Sequence, residues 1–250
     1  MTDRIRPLVL VTAPVHSRGS DPGYLARRTQ LYLQAIRRAG GDARTIDETS
    51  GRDERRAAFA AMDALLLSGG GDIDPARYGR AVDGSREIER GRDELEEQAW
   101  AAAENRNVPV LGICRGLQAV NAFSGGTLTQ HVDDHAGLAW GRGIAATHPI
   151  RIDTRTRVGG LLAAGGFHGG DVNTFHHQAV AAADLGPGLV PVAWADSPVG
   201  PVVEILEGSA GRWVAAVQCH PERTDSTPPA FERLFASFVE AALIAREAPV

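Results

Sequence analysis

Two short runs carry the residue types and spacing that could do chemistry. The first is Val110-Leu111-Gly112-Ile113-Cys114-Arg115-Gly116, an apolar strand pattern that runs into Gly-x-Cys-x-Gly, with a helical pattern after it. This is the cysteine counterpart of the Gly-x-Ser-x-Gly nucleophile elbow. A sharp strand-to-helix turn forces strained backbone angles on its central residue and needs small neighbours, here Gly112 and Gly116. It presents the thiol at the carboxyl edge of the sheet, where open α/β folds bind ligands. The helix N-terminus beneath favours thiolate over thiol. Taken alone, the pentapeptide also fits a small buried hydrophobe, since free cysteines are often core residues.

The second run, Gln218-Cys219-His220-Pro221-Glu222, supplies what a thiol nucleophile needs: a base and a third group to hold it. Pro221 biases His220 toward extended backbone. In an extended segment residues two apart point the same way, so Glu222 can bond one imidazole nitrogen and leave the other for Cys114. Cys219 points the opposite way and reads as structural. A histidine alone would more simply be a surface or capping residue; its place after the apolar run Trp213–Val217, with a carboxylate beside it, favours the chemical reading.

These residues need a scaffold, and the rest of the chain describes one. Short apolar runs alternate with helical patterns, the signature of a mainly parallel sheet covered by helices. Leu8–Val11 is a first strand. A helix from about Tyr24 carries Leu25, Tyr32, Ile36 and Ala39 near one stripe and stops at Gly40-Gly41. Ala43–Ile46 is a weak strand, and Asp63–Leu67 leads into Ser68-Gly69-Gly70-Gly71-Asp72. Arg92–Glu104 reads as a helix, with Leu95, Ala99 and Ala102 on one face. Pro109–Ile113 is the strand before the elbow, and Gly116–Phe123 the helix after it. Further on, Ile144–Ile152, Leu189–Trp194, Val202–Leu206 and Trp213–Val217 are strand-like, the last three read as antiparallel strands at the sheet edge. A closing helix runs from about Pro229, and the polar stretch Asp74–Glu89 reads as a mobile flap.

The 250 residues suffice for one large domain, taken as 1–250. At 43% hydrophobic and 23% charged, the composition excludes disorder and coiled coil. The net charge of −5 argues against nucleic acid as a partner, and all 26 positive side chains are scattered arginines, with no lysine. Residues 8–14 are too short for a signal sequence, and no run approaches the roughly 18 apolar residues of a membrane span, so no membrane association and a cytoplasmic location are expected. Two cysteines make no disulfide framework.

The sequence resembles the class I glutamine amidotransferase-like superfamily, and within it the γ-glutamyl-γ-aminobutyrate hydrolase group of cysteine peptidases, family C26. The matching stretches are Leu66 to Pro75, Tyr78-Gly79, Arg92-Asp93 with Glu96, Pro109 to Gln118, Asn121, Gly125 to Leu128 with Gln130, Val172-Asn173, His176 to Val180, and Gln218 with His220-Pro221-Glu222. They run in family order over nearly the whole chain. Cys219 stands where the family usually has an aromatic. The resemblance implies a three-layer α/β/α, flavodoxin-like fold with antiparallel edge strands. It implies a catalytic Cys114, His220 and Glu222, and an oxyanion hole from the backbone N–H groups of Gly70 and Arg115. Glycine at 70 would let the carbonyl oxygen approach. Gly71, Gln118, His176, His177 and Gln178 are the implied substrate contacts, although the last three equally suit a loop that shapes the cleft.

The implied reaction is hydrolysis of a γ-glutamyl amide through a Cys114 thioester, with no metal or organic cofactor and a small γ-glutamyl molecule as partner. A glutaminase subunit feeding ammonia to a synthase uses the same residues; the absence of a fused synthetase and the extended Ser-Gly-Gly-Gly-Asp-Ile-Asp-Pro motif favour the hydrolase. A degenerate binding protein is disfavoured by the intact triad. The glycine run is neither a Walker loop nor a dinucleotide fingerprint. His131 and His135 have a spacing that suits a metal on a helix, but Gly125-Gly126 and Gly137 disfavour that helix and no third ligand is evident. Arg92, Asp93 and Glu96 are read as tying a helix start to the sheet. The departing amine and the oligomeric state stay open, with a homodimer common for such folds.

Overall fold

The computed structural model describes residues 6–18, 21–133, 135, 146–209 and 211–247. Nine strands form one sheet: β1 (Leu8–Thr12), β2 (Asp42–Ile46), β3 (Ala64–Leu67), β4 (Val110–Ile113), β5 (Ala146–Ile152), β6 (Gly170–Thr174), β7 (Leu189–Ala195), β8 (Val202–Gly208) and β9 (Val214–Val217). Their order across the sheet is β2-β1-β3-β4-β9-β8-β7-β5-β6. Among the described residues six α-helices cover it: α1 (Pro22–Arg38), α2 (Arg52–Ala61), α3 (Arg90–Asn105), α4 (Arg115–Phe123), α5 (Arg157–Ala163) and α6 (Glu232–Glu247).

The sheet has two halves. From β2 to β9 every pairing is parallel, and from β9 to β6 every pairing is antiparallel. The parallel strands β3 and β4 read ALLL and VLGI and are buried throughout, as strands covered on both faces must be. Their side chains alternate between two cores. Val9, Val11, Leu66, Leu111, Ile113 and Val217 pack under α1, α5 and α6. Leu10, Leu65, Leu67, Val110 and Ala216 pack under α2, α3 and α4. This is the three-layer arrangement expected.

Trp213–Val217 is not an edge strand. As β9 it lies mid-sheet, parallel to β4 and antiparallel to β8. A short strand after Gly211-Arg212 looks like a hairpin partner in sequence, and only the crossover shows that it fills the gap beside β4. The expected strand Ile144–Ile152 is β5 from Ala146 on; Ile144 and Ala145, like Gly137, lie outside the described residues. The helix starts have local causes. Asp21 accepts from the Tyr24 N–H with Pro22 at the first turn of α1, and Thr156 caps α5 through the Gly159 N–H. The 74–89 stretch is held down, not hanging free: Gln130 bonds Ala81, Asp83 and Ser85, Asp72 accepts from the Arg86 N–H, and Gln178 donates to Ser85.

Candidate active site

Cys114 sits between β4 and α4 with φ 55° and ψ −107°, a conformation disfavoured for any residue with a Cβ. The sequence leaves it no alternative. A Cβ on Gly112 would come within 2.5 Å of the Gly116 carbonyl oxygen, and one on Gly116 within 2.0 Å of the Leu67 carbonyl oxygen. Strand, turn and helix therefore close up only with glycine at both places. The Cys114 N–H continues the sheet by donating to the Val217 carbonyl at 2.8 Å, which fixes the elbow against the end of β9. The thiol is 6% exposed.

The same strand end carries His220. Its Nδ1 lies 2.7 Å from Glu222 Oε1, and both side chains are almost fully buried. Its Nε2 has no hydrogen-bond partner among the described residues, and Cys114 is among the groups that act on the imidazole. Burial alone would lower the imidazole pKa; the Glu222 carboxylate and Cys114 outweigh it and push His220 up to about 9. The backbone of His220 is clamped as well. Its N–H donates to Asn173 Oδ1 at 2.7 Å, and its carbonyl accepts from Asn173 Nδ2 and Thr227. Phe175 packs edge-on against the ring. Asn173 had drawn notice only as part of a matching stretch; a lone Asn near a strand end gives no signal that it holds a histidine 47 residues on. Cys219 is 2% exposed, and burial pushes its thiol well up, keeping it protonated.

The glycine run crosses the mouth of the elbow. Gly69 donates to Tyr32 Oη and Gly71 to Glu89, which leaves the Gly70 N–H without a partner among the described residues. The Arg115 N–H is the first of α4, where helix geometry supplies no acceptor. The reason for glycine at 70 differs from the one expected: a Cβ there would lie 2.0 Å from Arg92 Nη1, so the collision is with the protein before any substrate. Arg92 threads beneath the run and donates to the Ser68 and Gly69 carbonyls. It also pairs with Glu96, which with Asp93 holds Arg115. All four charged groups are at most 1% exposed. Arg92, Asp93 and Glu96 thus tie a helix start to the sheet, and also lock the glycine run to the elbow residue Arg115. The two arginines hold the Glu96 carboxyl low despite its burial.

A cavity of about 950 Å³ opens over this region, lined by Tyr24, Arg28, Tyr32, Gly69 to Gly71, Asp72 and His177 among others. Arg28 is a cation in this cavity: Tyr32, Tyr24, Glu222 and Cys114 act on it, and its pKa is raised by these neighbours against burial. Nothing in the periodicity of α1 distinguishes Arg28 from its neighbour Arg27, so sequence reasoning passed over it.

The expected substrate contacts separate. Gly71 and His177 line the cavity, with His177 Nε2 3.1 Å from Asp72. Gln118 is buried and donates to the Gln178 carbonyl and to Gln218. Gln178 turns to Ser85. His176 points into a different cluster with His135, Glu204 and the partly buried His148. His131 does not join His135 there; it meets His177 and Asp133 instead. Sequence reasoning missed His148 and Glu204, which lie on β5 and β8, far apart in the chain.

The fold and the elbow with its histidine define the class: this is a class I glutamine amidotransferase-like domain. Its shape is similar to a structure described as "a putative gmp synthase subunit a protein" from Thermoplasma acidophilum (TM-score 0.65, 16% identity, 97% of each chain). It is also similar to the glutaminase domain of the Trypanosoma brucei CTP synthase (TM-score 0.62, 18% identity, 98% of this chain and 96% of that one). The Peptidase C26 family model matches residues 7–222, and the chain belongs to that family. Among its relatives is "Putative glutamine amidotransferase Rv2859c" of Mycobacterium tuberculosis, 37% identical over 216 residues that make up 84% of this chain and 66% of the relative. The γ-glutamyl-γ-aminobutyrate hydrolase PuuD of Escherichia coli is 28% identical over 228 residues, 85% of each. No helix among the described residues is long and apolar enough to cross a membrane.

Proposed function

We propose that this protein hydrolyses the γ-glutamyl amide bond of a γ-glutamyl amine, releasing glutamate and the amine. The observation that carries the reading is the pairing of a strained Cys114 elbow with a buried His220 held by Glu222 at 2.7 Å. With His220 pushed up to about 9, the imidazolium at neutral pH favours a Cys114 thiolate. The thiolate attacks the γ-carbonyl carbon. The developing oxyanion is received by the N–H groups of Gly70 and Arg115, donors of a kind worth a few kcal/mol each. The C–N bond breaks as the His220 proton passes to the amine nitrogen. Neutral His220 then takes a proton from water, whose oxygen displaces the Cys114 sulfur from the thioester. Glutamate leaves, and the ion pair is restored. Arg28 in the cavity is placed to meet the substrate's α-carboxylate.

The family supports a hydrolase, and the name of the Escherichia coli relative supports the γ-glutamyl amine class. The name of the mycobacterial relative favours a second reading, a glutaminase that supplies ammonia to a partner synthase. Glutamate release from a panel of γ-glutamyl amines, with glutamine alongside, separates the two. Turnover of an amine at least about tenfold above glutamine, a difference near 1.4 kcal/mol in transition-state binding, is expected. Preference for glutamine would replace the first reading by the second. Activity that survives Cys114→Ala would sink both.

A further inference from the structure

Away from the catalytic residues and their arginine–carboxylate support, His135, His148, His176 and Glu204 form a second cluster of ionisable side chains. It is assembled from four separate stretches of chain: the stretch holding His135, β5, the turn after β6, and β8. Ligand atoms of His135, His148 and Glu204 all lie within 4.8 Å of one another. His148 Nε2 is 3.6 Å from Glu204 Oε2, and His176 Nε2 is 3.6 Å from Glu204 Oε1.

The hydrogen-bond pattern is what makes the group unusual. His176 Nδ1 is 2.9 Å from the Gln178 carbonyl, and His135 Nδ1 is 3.4 Å from the Asp133 carbonyl. A carbonyl can only accept, so each Nδ1 bears the proton and each Nε2 presents a bare lone pair. Both Nε2 atoms, both nitrogens of His148 and both oxygens of Glu204 are buried without any partner. His176 and Glu204 are only 4% and 1% exposed. The His176 lone pair thus stands 3.6 Å from a Glu204 carboxyl oxygen, and buried polar atoms without partners are costly. A cation bound among them would satisfy these atoms together. Backbone carbonyls that fix the far nitrogen are also the usual outer support of metal-bound imidazoles.

We propose that His135, His148, His176 and Glu204 form a binding site for one divalent transition-metal ion of the zinc class. Three imidazoles and a carboxylate suit zinc and disfavour magnesium, which takes oxygen donors and water. Tetrahedral bonds of about 2.0–2.1 Å place ligand atoms roughly 3.4 Å apart, and the two 3.6 Å separations are close to that already. The ligand atoms that already lie together are those of His135, His148 and Glu204; with His176 drawn in from beside Glu204, four protein ligands would close the shell, which marks a structural ion. It would pin β5, β8 and the segment carrying His176 together, and so fix the neighbouring His177 at the cavity. The pattern departs from the expectation of no metal, which rested on His131 as the partner of His135 and on no third ligand being evident.

The test is zinc binding by the purified full-length chain, stripped with chelator, dialysed, and titrated calorimetrically, with metal content then measured after gel filtration. One equivalent of zinc, no uptake of magnesium, and a rise in melting temperature with zinc are expected. Glu204→Gln and His148→Ala should each weaken binding by more than the roughly 10–100-fold that loss of an outer support costs. Cys114→Ser should bind as the unaltered chain does. Failure of the unaltered chain to take up zinc overturns the proposal, whatever the variants do. So does binding that survives both ligand substitutions, and so does binding that vanishes in Cys114→Ser, which would place the metal on the thiol. None of these outcomes depends on which amide the protein hydrolyses.

Discussion

Replacing Gly70 with alanine tests the proposed oxyanion hole at the point where the structure leaves least room. The new Cβ would stand 2.0 Å from Arg92 Nη1 and 2.9 Å from Glu89 Oε2, whereas real Cβ contacts essentially never fall under 3.0 Å. One side must yield by about 1 Å. Arg92 is poorly able to. It is 1% exposed and bonded to the Ser68 and Gly69 carbonyls, to Glu89 and to Glu96. The glycine run is therefore the part that shifts, and it carries the Gly70 N–H with it. A misplacement of about 1 Å typically costs on the order of 10²-fold in rate, and loss of an oxyanion donor about 10²–10³-fold, or roughly 3–4 kcal/mol. We expect kcat for a γ-glutamyl amide to fall within that range. Alkylation of Cys114 by iodoacetamide should persist, because the elbow itself is untouched. Gly51→Ala is the control, since no atom lies within 4 Å of its built Cβ. A folded Gly70→Ala protein with kcat within about threefold of the unaltered chain would refute the assignment.

Further predictions concern the other residues. Glu222→Gln removes the carboxylate that helps push His220 up to about 9, so the alkaline limb of kcat/KM should move to lower pH; an unmoved limb would exclude His220 as the acid. The same pair sets a stability window. A folded-state pKa raised above 6.5 contributes stability that is complete below 6.5 and lost as pH rises through about 9. The melting temperature should therefore fall across that interval, and fall less in Glu222→Gln, as a scan at constant ionic strength would read. Arg28→Ala should raise KM about 10–100-fold, the value of a charge-assisted hydrogen bond of roughly 1.5–3 kcal/mol; an unchanged KM would remove Arg28 from substrate binding. Asn173→Ala frees the backbone of His220 and should lower kcat with little change in KM, which steady-state kinetics would show.

The elements that hold Cys114 were legible because each has a local cause. Val110–Ile113 must be buried on both faces, and the glycines at 112 and 116 have no other good explanation. The His220–Glu222 pair was legible from its residue types, but not for the reason read from sequence: residues 220–223 form a turn, with the Arg223 N–H donating to the His220 carbonyl, and the turn, not extended backbone, brings Glu222 back to the ring. What the sequence hid depends on long-range placement. β6 reads GDVNT, poor strand composition, and α5 contains Gly159-Gly160, which hides its helical pattern. The position of β9 follows from a crossover and not from its own residues. His148 and Glu204 are unremarkable in sequence, and His176 and His177 are adjacent there but serve different places, because the chain bends at His177 just after β6.

The mid-sheet position of β9 also governs how the chain can be made. Strands β4 and β8 each offer β9 one edge, and β9 follows both in the chain. Until residues 214–217 emerge, the buried VLGI run of β4 has an unpaired flank, and such an edge is a template for misassembly. Insertion of β9 both seals the sheet and delivers His220 to Cys114. A nascent chain therefore completes its sheet and brings His220 beside the Cys114 elbow in one step, and a chain released before residue 213 should have done neither.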